Sequence, residues 1–304
     1  MSRRWSLVAV VVSAACFGTL AILTPLAYDS GALPLPLLAW RFVIAAALLA
    51  TVAQIRDPGS LRVPAGDVGR FAALALTGYG AASVCFFFAL LYADAAVVAV
   101  LLYAYPAFVT IAGWAFLGER PTRAATLAVC ATFAGCALVL GVGSGDIYAS
   151  LPGILLGLGA AVGYTLFNLL SHRWLPGRSR LTMMAYTFGI AAVLPAALAV
   201  GGGGLAALST SEWSTITWAL LAAIVLVPTF AAIVLYLEGI RGLGPSQAAV
   251  VSTLEPIFTI VLARVFLPEQ SALEPLQLVG VALVIGGVVV AEIGARATIE
   301  PAPV

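Results

Sequence analysis

The sequence "YAYPAFVTIAGWAFLGER" (Tyr103–Arg120) returns in loosened form as "TLEPIFTIVLARVFLPEQ" (Thr253–Gln270). Pro106 falls on Pro256, Phe108 on Phe258 and Glu119 on Glu269. Upstream, "AWRFVIAA" from Ala39 meets "AYTFGIAA" from Ala185 at nearly the same offset. Ordered matches of this kind mark a duplication, with residues 1–145 as the first repeat and 146–304 as the second. The number of helices in each copy then decides how the two copies face each other.

The 304-residue chain is 62% hydrophobic and 9% charged, with a mean hydropathy of +1.11. Soluble domains carry about 25% charged residues, because their surfaces face water. This chain must take lipid as its main solvent. A bilayer core of about 30 Å accepts roughly 20 apolar residues as a helix. Ten such segments run over residues 5–27, 34–54, 68–92, 95–117, 122–142, 151–171, 181–201, 214–238, 245–267 and 273–294. Short breaks rich in Pro, Gly and charge separate them, such as "RDPGSLRVPAGD", "HRWLPGRSR" and "GIRGLGPS". Backbone groups in lipid must find partners within their own segment, so these stretches are helices.

Every basic residue is arginine, 14 in all. With the N-terminus inside, Arg3, Arg4, Arg56, Arg62, Arg70, Arg120, Arg123, Arg173, Arg178, Arg180, Arg241 and Arg296 fall on the inner face. Arg41 and Arg264 lie within spans, and no outer loop holds an arginine. This alternation is what the positive-inside rule demands of ten spans. A missed or invented helix would scramble it. The opening "MSRRWSL" also suits a signal peptide or a twin-arginine signal, but the apolar stretch is too long, and removing it inverts the arginine pattern. Five spans per copy is an odd number, so the second copy enters from the opposite face. The expectation is therefore an all-α polytopic membrane protein of ten transmembrane helices. They form two inverted five-helix repeats with cytoplasmic N- and C-termini, in the cytoplasmic (inner) membrane of a bacterium. Inverted repeats of this kind give alternating access to one central site.

Other classes fit less well. A net charge of +1 gives no support to nucleic-acid binding. Cys16, Cys85, Cys130 and Cys136 lie in apolar runs and read as buried free thiols. One histidine, His172, cannot supply an HExxH zinc site, and no cofactor is expected. An intramembrane aspartyl protease would need Asp29 and Asp146 as its pair, yet these sit at outer ends of spans far apart in the order. The chain therefore reads as no enzyme. A membrane scaffold is the other alternative, although it would gain nothing from inversion.

Candidate site residues follow from polarity at depth. Glu255 lies near the middle of its span, where a charge costs a few kcal/mol and should face a cavity or a partner. It could bind a substrate ammonium, carry a coupled proton, or pair with an arginine; it could equally stay neutral and bond the carbonyl that Pro256 frees. Arg264 is about 180° round the helix from it, which leaves Arg41 as the arginine to consider. Pro106 and Pro256 can each kink a helix and expose a carbonyl. Tyr105 stands where Glu255 stands in the other copy, and Ser252 precedes Glu255 by three residues. Tyr79, Ser83 and Phe86 share a helical face, as do Tyr164 and Asn168. An aromatic lining of this kind suits a flat substrate, and packing between helices is the other reading of these rings. Gly153, Gly157, Gly159 and Gly163 read as a close-packing face, and Trp218 as an interfacial belt residue.

The stretches "LLAWRFVIAAALL", "LLYAYPAFVTIAGWAFLGER", "STLEPIFTIVLARVFLPEQ" and "LVGVALVIGGVVV" resemble EamA repeats of the drug/metabolite transporter superfamily. The resemblance covers nearly the whole chain, one repeat per half. It implies that spans 1, 3, 4, 6, 8 and 9 enclose a central cavity, with spans 5 and 10 peripheral. It implies a small-molecule substrate as partner, and many members export amino acids or related metabolites. One branch handles aromatic amino acids and flat cationic drugs. The second copy departs from the pattern with "LPEQ" in place of "LGER". Monomer and homodimer both stay open.

Overall fold

The computed structural model describes residues 3–116, 123–140, 149–174, 179–243, 248, 251, 252, 254–267 and 274–299. Among these residues every named element is helical. In chain order the helices are α1 (Arg3–Asp29), α2 (Pro34–Arg56), α3 (Ala65–Ala89), α4 (Ala95–Ala112), α5 (Arg123–Val139), α6 (Leu151–Ser171), α7 (Arg180–Gly203), α8 (Thr215–Gly239), α9 (Glu255–Phe266) and α10 (Pro275–Ile299). Among the described residues α1–α4 and α6–α8 are long and apolar enough to cross a membrane, and α5 and α10 carry the shorter apolar stretches Arg123–Val139 and Pro275–Val290. Large apolar side chains such as Leu127, Leu155, Leu205, Ile216 and Val265 are exposed. In water such a surface would be untenable; in a bilayer it is the solvated face. The chain is a polytopic membrane protein.

Several spans are helical without being uniform. α4 breaks at Tyr103–Ala104, so Tyr105 and Pro106 open a second helical piece. The same thing happens in the other half, where Leu254 is a turn and α9 opens on Glu255 and Pro256. Both prolines thus sit in a first turn, where a missing N–H is tolerated. A π-helical turn occupies Leu74–Tyr79 in α3 and another occupies Leu226–Ala231 in α8.

Packed pairs include α1 with α8 and α9, α2 with α7 and α8, α3 with α6 and α7, α4 with α6 and α9, and α5 with α10. Adding five to each label, and wrapping past ten, returns the same set of pairs. The hydrogen bonds give directions. Ser13 donates to the Ala232 carbonyl at 2.6 Å and Thr217 to the Ser30 carbonyl at 2.8 Å, so α1 and α8 run antiparallel. Tyr28 donates to the Phe87 carbonyl at 2.9 Å, which puts the ends of α1 and α3 at one end of the bundle. Gly153, at the start of α6, abuts Tyr92, just beyond α3. α6 therefore begins where α1 ends.

The glycine face of α6 is a packing surface. A Cβ on Gly163 would lie 2.8 Å from the Ala82 nitrogen, and one on Gly153 would lie 2.9 Å from the Tyr92 carbonyl oxygen. Only hydrogen in place of a side chain permits that approach. The buried core falls into two clusters: one around Phe42, Phe87 and Phe188, the other where α4, α5, α6 and α10 meet around Val100, Val139 and Val284.

Two sequence expectations are corrected. The cysteines are free as expected, but Cys130 is exposed and only Cys136 is buried; Cys130 sits on an outward face of α5, where lipid replaces the core. Arg41 is not an ion-pair partner of Glu255, because its guanidinium is engaged by Thr229 and by two aromatic rings. Glu119, Glu269, Asp146, Arg120 and Arg178, and the side chain of His172, lie outside the described residues.

Candidate functional site

Between the two halves lies a cavity of about 620 Å³, within the range of small-molecule sites. It is lined by Glu255, Tyr105, Tyr79, Ser83, Phe86, Tyr164, Asn168 and Ser252, and by Arg41. Pro106, Pro256 and Arg264 do not line it. Arg264 is exposed on the far side of α9, as the half-turn geometry requires. Trp218 packs edge-on against Trp40 and Trp213 at the opposite end from the arginines.

Each polar wall follows from a local backbone problem. Pro256 has no N–H, so the Ser252 carbonyl one turn back loses its helical donor. The Tyr103 hydroxyl stands 2.9 Å from that carbonyl and 2.9 Å from Glu255 Oε2. One phenol thus serves both the freed carbonyl and the carboxylate, reaching across from the first half to the second. Ser252 itself turns back, donating to the Ala248 carbonyl at 2.9 Å. Asn168 donates to the Tyr164 carbonyl at 2.8 Å on its own helix.

The second polar wall is built the same way. Pro228, inside the π turn of α8, removes the donor for the Ile224 carbonyl, and the Thr229 hydroxyl donates to it at 2.8 Å. That leaves the Thr229 oxygen free to accept, and Arg41 Nε donates to it at 2.9 Å. Arg41 is 1% exposed. Its guanidinium lies 5.4 Å from the Phe42 ring centre and 5.3 Å from that of Phe87, in cation–π range. Arg41 is thus held by neutral groups, which is why it does not reach Glu255.

A chain of aromatic rings joins the two walls. Tyr79 and Tyr164 have ring centres 6.5 Å apart, Tyr164 and Tyr105 4.8 Å, and Tyr105 and Tyr103 6.1 Å. Phe167 stacks on Tyr164 at 5.9 Å. Toward the arginine-bearing end the cavity continues past Ser171 to Arg180, which is exposed. At that end Arg56 pairs with Glu238, linking α2 to α8.

The sequence reading missed Tyr103, Tyr236, Thr229, Thr259 and the methionines Met183 and Met184, all but Thr229 of which line the cavity. Tyr103 carried a signal, since it opens the repeated stretch two residues before Tyr105. Thr229 carried one too, in the "PT" pair, because a hydroxyl beside a helical proline can serve the freed carbonyl.

An all-helical bundle with spanning helices around a central polar and aromatic cavity belongs to the class of polytopic membrane transporters. Residues 4–141 and 151–292 each match the EamA-like transporter family, so the chain belongs to that family, within the drug/metabolite transporter superfamily. "Uncharacterized transporter YcbK" of Bacillus subtilis (strain 168) is 29% identical over 283 residues, 89% of this chain and 87% of that one. "Uncharacterized transporter YwfM" of the same organism is 28% identical over 185 residues, 58% of this chain and 57% of that one. A solved crystal structure aligns over 98% of this chain and 100% of its own with a TM-score of 0.67 at 22% identity; at that identity the likeness is one of fold. The matched family is one of transporters, not of catalysts.

Proposed function

We propose that the protein is a secondary transporter that exports a small amphipathic metabolite, an amino acid or analogue with a flat or aromatic portion, by alternating access. In this reading ten helices cross the cytoplasmic membrane of a bacterium as two inverted repeats, residues 1–145 and 146–304, with both termini in the cytoplasm. One observation supports the inversion, that α6 starts where α1 ends; the self-mapping packed pairs and the π turns on corresponding helices support the duplication. The Bacillus origin of both relatives supports a bacterial membrane.

The single observation carrying the reading is the cavity itself. It lies between the halves, takes residues from both, and presents a carboxylate, a guanidinium and a run of tyrosines at membrane depth. Groups so costly in lipid are kept where a solute meets them. The described conformation reaches the arginine-bearing end, taken as cytoplasmic, while bonds from Tyr28 and Thr217 tie α1 to its neighbours at the other end. Glu255 is the cavity group that a coupled proton would occupy.

The test is counterflow in liposomes over amino acids, nucleosides and organic cations, with and without a pH gradient. Glu255→Gln is expected to cut flux at least tenfold, the scale of a lost charged contact in a buried site, while insertion stays normal. Unchanged flux would retire the carboxylate from the mechanism. Copurification of a stoichiometric protein partner, with no solute moved, would favour the scaffold instead.

A further inference from the structure

The cavity carries charge at its mouth as well as at depth. Among the described residues its ionic lining is Arg41, Glu255 and Arg180. Arg41 is 1% exposed and held by Thr229 and two rings, while Glu255 shares the Tyr103 hydroxyl with the Ser252 carbonyl. Both therefore belong to the inner walls. Arg180 differs from them: it is exposed, it opens α7 at the arginine-bearing end, and among the described residues it has no carboxylate partner.

The acids near this end do not cancel that charge. Glu238 pairs with Arg56 and Asp67 with Arg70, and Asp57 is exposed and stands off the cavity wall. The wall just inside the mouth, with Asn168, Ser171, Met183 and Met184, is uncharged. A helix start carries the positive end of the backbone dipole, so α7 adds to the field of Arg180 and does not offset it. The positive-inside rule explains why an arginine lies at this end of the bundle. It does not explain why that arginine stands on the cavity wall.

We infer that Arg180 is a charge filter at the mouth, which draws in solutes presenting an anionic group and slows cations before they reach the depth of Glu255. This rests on the transport reading and its orientation, and adds a residue that governs entry. Charge of one sign lining a cleft with low-dielectric walls raises the local concentration of the opposite sign and changes on-rates by about 10- to 1,000-fold. Such a field acts through space on any small ion. It can therefore be measured without knowing the cargo.

The test uses the full-length protein with Ser252→Cys as its one cysteine, in sealed vesicles that expose the arginine-bearing end to reagent. Two methanethiosulfonates of similar size are compared, one ending in a sulfonate and the other in a trimethylammonium group. Each rate is divided by that reagent's rate with 2-mercaptoethanol. Glu255 lies close to Ser252 and biases both rates, but in the same way in every Arg180 variant. At low salt, Arg180→Glu should lower the sulfonate-to-ammonium ratio about tenfold or more, and Arg180→Gln about threefold. Arg180→Lys, which keeps the charge, should stay within about twofold of the parent. In 1 M salt, where the screening length is about 3 Å, the differences between variants should shrink to within about twofold. A ratio that Arg180→Glu leaves unchanged at low salt would overturn the inference while transport stands. Equal slowing of both reagents would also overturn it, by making Arg180 a structural residue of the mouth. If neither reagent reaches the thiol from this end while both reach it from the other, the orientation in the transport reading has failed, and the inference falls with it.

Discussion

Tyr103 has one hydroxyl proton and two acceptors within reach, the Ser252 carbonyl and the Glu255 carboxylate. Removing that hydroxyl by Tyr103→Phe takes away the one proton these two acceptors share, and a buried acceptor left without a donor costs about 1–3 kcal/mol. The expected outcome is a lower melting temperature in detergent and reduced transport from the same variant. A Tyr103→Phe protein as stable as wild type would mean that water, not the phenol, serves the carbonyl. Thr229 makes the parallel case. Thr229→Val deprives the Ile224 carbonyl of a donor and Arg41 of an acceptor, and again about 1–3 kcal/mol should be lost. Thr229→Ser, which keeps the hydroxyl, should lose much less in the same thermal melt. At this scale the sequence was legible in part. Glu255, Tyr79, Ser83, Phe86, Tyr105, Tyr164, Asn168 and Ser252 were picked out by polarity or face, and all of them line the cavity. Tyr103 and Thr229 escaped because their partners lie in the other half of the chain. A hydrogen bond between residues 149 or 188 positions apart leaves no local pattern.

The helices carry the same lesson with a different cause. Apolar length located them closely, because lipid leaves the backbone no other solution. Interruptions inside the helices were less visible. The breaks before Pro106 and Pro256 were signalled by the prolines, yet the π turn at Leu74–Tyr79 contains none. Such a turn adds a residue to the helical repeat and re-aims the side chains beyond it, so it recurs at functional positions. In this protein one π turn ends on Tyr79 and the other contains Thr229, so both serve the cavity wall. The glycines of α6 give the element-scale prediction. Gly163→Leu would drive a side chain into the Ala82 backbone, which stands 2.8 Å from the would-be Cβ. Overpacking of this kind costs about 1–3 kcal/mol or more, and the measured outcome should be a fall in thermal stability with poorer yield. Gly66→Ala, at a site with nothing within 4 Å of the added Cβ, should be neutral or slightly stabilising. Equal melting temperatures for the two variants would show that α3 and α6 do not pack as described.

For the whole molecule, the proposed orientation rests on the arginine alternation and the odd number of spans per repeat, and neither depends on any single contact. Both reflect how lipid and membrane charge treat a chain. The cavity's shape could not be read that way, since it is a property of how two halves meet. Tags at the two ends should both be protected in intact cells and both be reached when the inner face is opened; a C-terminal tag found outside would remove the inversion. Alternating access is the claim on which the rest stands, and accessibility at one cavity residue tests it most directly. Ser252→Cys, in a protein whose four native cysteines are replaced, would be probed with a membrane-impermeant maleimide from each side of sealed vesicles. Alternating access predicts labelling from the cytoplasmic side in the resting protein, and a shift toward labelling from the outer side under turnover with a transported solute. Labelling confined to one side under every condition would contradict it.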